Sequence, residues 1–89
     1  MRHRSDRNQT VIVDALRRCG WFVVVLSQGA GIDLLAARHG RLVAIEVKDG
    51  SLASSRRRLT PAESRLHRGF QSAHAPVVVL ESVEQAVAL

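Results

Sequence analysis

The sequence predicts an α/β fold, a mixed β-sheet flanked by helices in the order α-β-β-β-α-β-α. Three observations predict it. An amphipathic stretch with helical spacing opens the chain, three short apolar runs follow it, and two capping patterns start helices on either side of a last apolar run. Its 89 residues leave room for one domain, residues 1–89.

Between Asp6 and Cys19, the apolar residues Val11, Ile12, Ala15, Leu16 and Cys19 recur at spacings of three, four and seven, as one face of a helix requires. Ser5 or Asp6 can cap its start, and Gly20 is a natural stop. Trp21–Leu26 is dense in aromatic and β-branched residues and reads as the first strand. After the small loop Ser27–Gly31 comes a second strand, Ile32–Ala37. Arg38-His39-Gly40-Arg41 holds a glycine where a tight turn needs positive φ, so Leu42–Lys48 is expected to pair back antiparallel on it.

Asp49–Arg58 is polar, with no apolar periodicity, and reads as a basic loop. Thr60-Pro61-Ala62-Glu63 supplies a cap, a proline at the first helical position and a glutamate at the third, so a helix is expected from there to about Ala73. Pro76–Leu80 is a short strand, and Ser82-Val83-Glu84-Gln85 starts a terminal helix.

Thirteen Lys plus Arg against eight Asp plus Glu give a net charge of +5 and a pI of about 11.3, which points to a polyanionic partner. An anionic membrane fits less well. No apolar run approaches the ~20 residues that span a bilayer, and no basic amphipathic helix carries Trp21 and Phe22 on its far side. Cys19 is the single cysteine, which excludes an internal disulfide and a thiolate zinc cluster and fits a reducing cytoplasm. The charged start MRHRSDRNQ lacks a secretory apolar segment. A core this small often gains stability by pairing, so a homodimer is expected.

Alternation in the third strand places Glu46 and Lys48 on one face and Val43, Ile45 and Val47 on the other. Across the hairpin, Asp33 interrupts an apolar strand and points opposite to Ile32 and Leu34, a costly position for a carboxylate without a partner. Two carboxylates and a backbone carbonyl make the hard oxygen donor set that a divalent cation such as Mg²⁺ prefers. Lys48 beside them could orient water and stabilise a phosphate in its transition state. The competing interpretation is a set of ion pairs at a sheet edge, and spacing alone does not choose between the two.

Gly31-Ile32-Asp33-Leu34, a hairpin, and Ile45-Glu46-Val47-Lys48 resemble the D…(E)xK core of the PD-(D/E)xK nuclease superfamily, with its restriction-endonuclease-like core. The whole chain is similar to the small stand-alone VRR-NUC and Holliday-junction-resolvase-like nucleases of phages and bacteria. Asp6-Arg7-Asn8-Gln9 at the head of a helix, Gly20 before the first strand and Leu59-Thr60-Pro61-Ala62-Glu63 at the head of the next helix extend the match to nearly full length.

The resemblance implies a metal-dependent DNA endonuclease using Mg²⁺ or Mn²⁺, with branched DNA as the favoured substrate and no nucleotide cofactor. It implies Asp33, Glu46 and the Val47 carbonyl as metal ligands, and Lys48 as the catalytic lysine. Gln9 stands where many relatives carry a helix-1 glutamate, and the resemblance places it near the metal, through water. Ile32 replaces the usual proline, which supplies no ligand. The alternatives are a DNA-binding module that keeps the fold without cleaving and a structural subunit of a larger phage or repair assembly.

Arg7, Arg56, Arg57, Arg58, Arg65 and Arg68 are candidate phosphate contacts, as are Arg2 and Arg4. With few aromatics to stack on bases, recognition of backbone and shape is expected. Gly29-Ala30-Gly31 leads into a strand and not a helix, so it reads as a close-approach turn and not a dinucleotide loop. His3, His39, His67 and His74 lack ligand spacing and read as surface residues, Glu63 reads as a cap, and Cys19 as a small apolar residue.

Overall fold

A computed structural model describes residues 4–27, 29–48 and 60–89. The elements follow the expected order: α1 (Arg4–Arg18), β1 (Phe22–Val25), β2 (Leu34–Arg38), β3 (Arg41–Val47), α2 (Pro61–Ser72), β4 (Val78–Leu80) and α3 (Val83–Ala88). The predicted basic loop, with Arg56, Arg57 and Arg58, lies outside the described residues.

The first helix starts at Arg4, so Ser5 and Asp6 lie inside it and do not cap it. It ends as expected at Gly20, whose φ is +93°. The Trp21 N–H donates to the Leu16 carbonyl and the Gly20 N–H to the Arg17 carbonyl, both at 3.1 Å, the paired bonds of a Schellman stop. Ile12 and Leu16 are fully buried, joined by Val13 and Ala15. Val11, expected in the core, is 44% exposed, because the buried stripe runs along the neighbouring positions.

The sheet order is β1-β2-β3-β4, antiparallel except for the parallel pair β3–β4, which is connected through α2. Between β2 and β3 the turn places both His39 (φ 51°) and Gly40 (φ 79°) in the left-handed region, as a two-residue turn matched to the strand twist requires. The sequence points to Gly40 alone for that demand.

Register puts Val23, Ala36 and Val43 in one row and Leu34, Ile45 and Val78 in the next on the same face. That face, with Val47, Leu80 and Trp21, packs against α1 and Ala86 of α3 to form the core. Cys19 packs at its margin as a free thiol. The opposite face is thinly covered. Helix α2 has no fully buried residue, and Phe22 and Leu42 are 72% and 71% exposed, on either side of Ala37.

Helix α2 starts on a complete capping box. The Thr60 side chain accepts from the Glu63 N–H, and the Glu63 carboxylate accepts from the Thr60 N–H. Leu66 reaches Gly31, where an added Cβ would sit 3.2 Å from Leu66 Cδ1. The expected close-approach turn is therefore found at Gly31. No helix among the described residues is long and apolar enough to cross a membrane.

Candidate active site

Asp33 was expected inside the second strand, but β2 begins at Leu34, one residue later. Its backbone still follows the ladder: the Asp33 N–H donates to the Ile45 carbonyl at 3.0 Å, and the Asp33 carbonyl accepts from the Leu26 N–H at 2.9 Å. The predicted alternation survives, with Ile32 and Leu34 buried and the Asp33 side chain on the other side. There, Asp33 Oδ2 accepts a 2.7 Å hydrogen bond from the Val47 N–H. One carboxylate oxygen is fixed on the backbone between Glu46 and Lys48.

Glu46 is the single buried charged residue among the described core positions, 2% exposed. Burial, a hydrogen bond to Glu63 and the nearby Asp33 charge together push its carboxyl up to about 9. Glu63 goes the other way. Burial alone would raise it, but hydrogen bonds from Glu46, from the Thr60 N–H and from Lys48 outweigh that effect and bring it down to about 2. Burial thus favours the neutral form of Glu46, while the neighbours of Glu63 favour its charged form.

Lys48 follows β3 and is held by its backbone, its N–H donating to Leu80 at 3.0 Å and its carbonyl accepting from Asn8 Nδ2 at 2.7 Å. Its ammonium lies 3.7 Å from Glu46 Oε2 and 3.0 Å from Glu63 Oε1. Asp33, Glu46 and Lys48 thus converge at one end of the β2–β3 hairpin, as the alternation argument required.

Two residues outside the predicted set join them. Glu63, read as a cap, is a cap and a partner of Lys48 with the same oxygen. His67, read as a surface residue, is largely enclosed, with Nε2 4.0 Å from Glu46 Oε1. Both atoms are buried without a hydrogen-bond partner. Burial lowers the His67 pKa; the Glu63 charge raises it, and Lys48 lowers it further. Glu63 and His67 are four apart on α2, one helical turn, and that spacing on a helix behind an ExK strand was the signal available in the sequence. Lys48 is also the chain's only lysine, against twelve arginines.

The remaining candidates are placed differently. Gln9 is half-buried and makes no hydrogen bond to Asp33, Glu46 or Lys48; its neighbour Asn8 is the α1 residue that bonds beside Lys48, and it also donates to the Glu81 carbonyl at 3.3 Å. Arg7, Arg65 and Arg68 are exposed. At 100° per residue, Arg65 and Arg68 fall on the side of α2 opposite Glu63 and His67. Arg38 and Arg41 stack on Trp21, 4.5 and 5.6 Å from the ring centroid, and Arg17 donates to the Val23 carbonyl at 3.1 Å, so these three serve the scaffold.

A divalent cation fits the donors present on one observation: the Glu46 Oε1 atom is buried beside a second carboxylate and has no partner. Among the described residues no three His, Cys, Asp or Glu side chains form a metal cage. A cation would draw on two carboxylates, a main-chain carbonyl and water, which suits Mg²⁺ better than zinc.

A solved structure of a VRR_NUC domain is similar in fold to this chain, with a TM-score of 0.71 and 28% identity, covering 96% of this chain and 91% of that one. The fold is that of a VRR_NUC domain. That neighbour is a nuclease domain of the PD-(D/E)xK type, and this chain shares its α/β architecture, a mixed four-stranded sheet with flanking helices. No protein-family model and no curated protein matches the sequence, so the VRR_NUC likeness rests on the tertiary arrangement together with the D…ExK spacing.

Proposed function

We propose that this chain is a metal-dependent DNA endonuclease, a single VRR_NUC-type domain that hydrolyses phosphodiester bonds in branched DNA. The observation that carries the reading is Glu46: a buried carboxylate with an unpartnered oxygen, beside Asp33 and Lys48 at one end of a hairpin, in a nuclease fold. Burying an ionisable group this way is expensive and is characteristic of functional sites.

In this reading Asp33, Glu46 and the Val47 carbonyl hold Mg²⁺ or Mn²⁺, with Gln9 contributing at most through water. When bound, the cation supplies a water of lowered pKa and neutralises charge on the phosphate. The protein's own groups do the rest. The Val47 N–H fixes Asp33 so that one carboxylate oxygen keeps its direction. Lys48 presents an ammonium to the attacking water and to the phosphate oxygens, where charge develops in the transition state. The net charge of +5 supports an electrostatic footprint for the DNA backbone. Arg7, Arg56, Arg57, Arg58, Arg65 and Arg68 are its assigned contacts, those on α2 reaching only DNA that passes over the helix's outer side. A two-fold dimer would suit a symmetric junction.

The test is cleavage of labelled junction, flap and linear duplex DNA, with Mg²⁺ or with EDTA, by the wild type and by Glu46→Ala and Lys48→Ala. Cutting of junction or flap that needs metal, with both variants inactive but still binding, is the expected result. Binding without cleavage under every metal condition would instead make the chain a DNA-binding module on a nuclease scaffold.

A further inference from the structure

Helix α2 contributes a charged group to the site at a point where a helix cap alone would need none. The capping box is satisfied by any side-chain acceptor at position 63, and Gln serves there as well as Glu. A glutamate places a full negative charge 3.0 Å from the ammonium of the chain's single lysine, nearer than Glu46 at 3.7 Å. The same Oε1 atom accepts from the Thr60 N–H at 2.8 Å, so the carboxylate is pinned to the helix start and cannot follow a wandering lysine. Lys48 is fixed at its other end, where its N–H and carbonyl are both taken. A four-carbon stem tethered at its backbone and at its tip has lost most of its rotamer freedom before any ligand arrives.

From these contacts we infer that Glu63 is a positioning residue for Lys48: its carboxylate, anchored by the α2 cap, holds the ammonium at the mouth of the Asp33–Glu46 pair. The inference rests on the nuclease reading for its catalytic consequence but not for the contact itself. An ammonium held only from its own strand would be free to swing onto Glu46 Oε2, 3.7 Å away, and cover that group. Drawn toward α2, it stays beside Glu46 without claiming it, so the lysine and the acidic pair act on one phosphate as separate groups. Helix α2 thereby belongs to the site although none of its residues is fully buried.

Three variants and two readouts test this. Glu63→Gln keeps the size and the capping acceptor but removes the charge; Glu63→Asp keeps the charge and shortens the reach. Thr60→Ala removes the hydroxyl half of the cap, leaving the Thr60 N–H bond to Glu63, and controls for lost helix stability. With junction DNA and Mg²⁺, Glu63→Gln should lower kcat by about tenfold or more with KM little changed. Glu63→Asp should recover part of that loss, and Thr60→Ala should keep kcat near wild type. The second readout needs no activity. In metal-free protein labelled with ¹³C,¹⁵N-lysine, the single lysine side chain should give ordered, distinct Cε protons in the wild type that average together in Glu63→Gln. Wild-type kcat in Glu63→Gln, or a loss matched by Thr60→Ala, would overturn the inference, as would an unchanged lysine signal. If the wild type cuts nothing, the nuclease reading fails by itself, and the lysine signal still decides the contact.

Discussion

Asp33 and Val47 are joined by a 2.7 Å hydrogen bond from the Val47 N–H to Asp33 Oδ2, across the hairpin and at the residue between Glu46 and Lys48. The bond fixes Asp33 beside Glu46 and Lys48, whose directions are set by the β3 ladder. A carboxylate that holds a backbone donor is both structural and chemical.

Those two roles separate by substitution. Asp33→Asn keeps an oxygen for the Val47 N–H, so its thermal stability should stay near wild type while cleavage is lost. Asp33→Ala leaves a half-buried N–H unpaired and should cost about 1–3 kcal/mol as well. Denaturation curves and cleavage assays on both variants check this. Equal stability of the two would show that the bond contributes nothing.

Glu46 makes metal-free stability fall with pH. Its folded pKa, about 9, lies above the ordinary value of 4.5, so below about pH 4.5 the group is protonated in both states and costs nothing. As pH rises from there toward 9, the unfolded chain releases this proton before the folded chain does, and stability declines. Glu46→Gln removes the penalty. In EDTA it should be more stable than wild type at pH 7, by a margin that shrinks as pH falls and vanishes near pH 4. A pH-independent difference in Tm between the two proteins would contradict the assignment.

A divalent cation should reverse that trend in the wild type. Because the Asp33–Glu46 pair would bind it ionised, adding millimolar Mg²⁺ or Mn²⁺ should raise Tm, more at pH 8 than at pH 5. Glu46→Gln and Asp33→Asn should show little shift. Thermal scans with and without EDTA read this directly, and an equal shift in all three proteins would place binding elsewhere.

Gly31 is the point where α2 meets the loop before β2. With φ at +93° and Leu66 Cδ1 3.2 Å from a would-be Cβ, Gly31→Ala faces both a strained backbone and a crowded neighbour. A loss of about 1–2 kcal/mol is expected. Gly29→Ala, at a similar φ of +90° but with nothing within 4 Å, isolates the backbone share. If the two cost the same, the Leu66 contact carries no weight.

Much of this protein is legible in its sequence because much of it is local. Helical spacing and the Gly20 stop define α1, apolar runs define the strands, and Thr60-Pro61-Ala62-Glu63 starts α2, each a matter of a few adjacent residues. Strand alternation alone put Glu46 and Lys48 on one face and, through the hairpin, brought Asp33 toward them. Three features were decided only in three dimensions. Glu63 reaches Lys48 across fifteen residues, His67 comes to face Glu46, and Asn8, not Gln9, bonds beside the site across forty. The four-residue spacing of Glu63 and His67 puts them on one face of α2 but does not say what that face meets. Each of the three features depends on how far a helix slides and turns as it docks on the sheet, which is set by contacts such as Leu66 on Gly31 and by the packing of α1 on the core. The acidic-and-lysine cluster was thus fixed by strand geometry, and helix docking decided which residues hold its lysine.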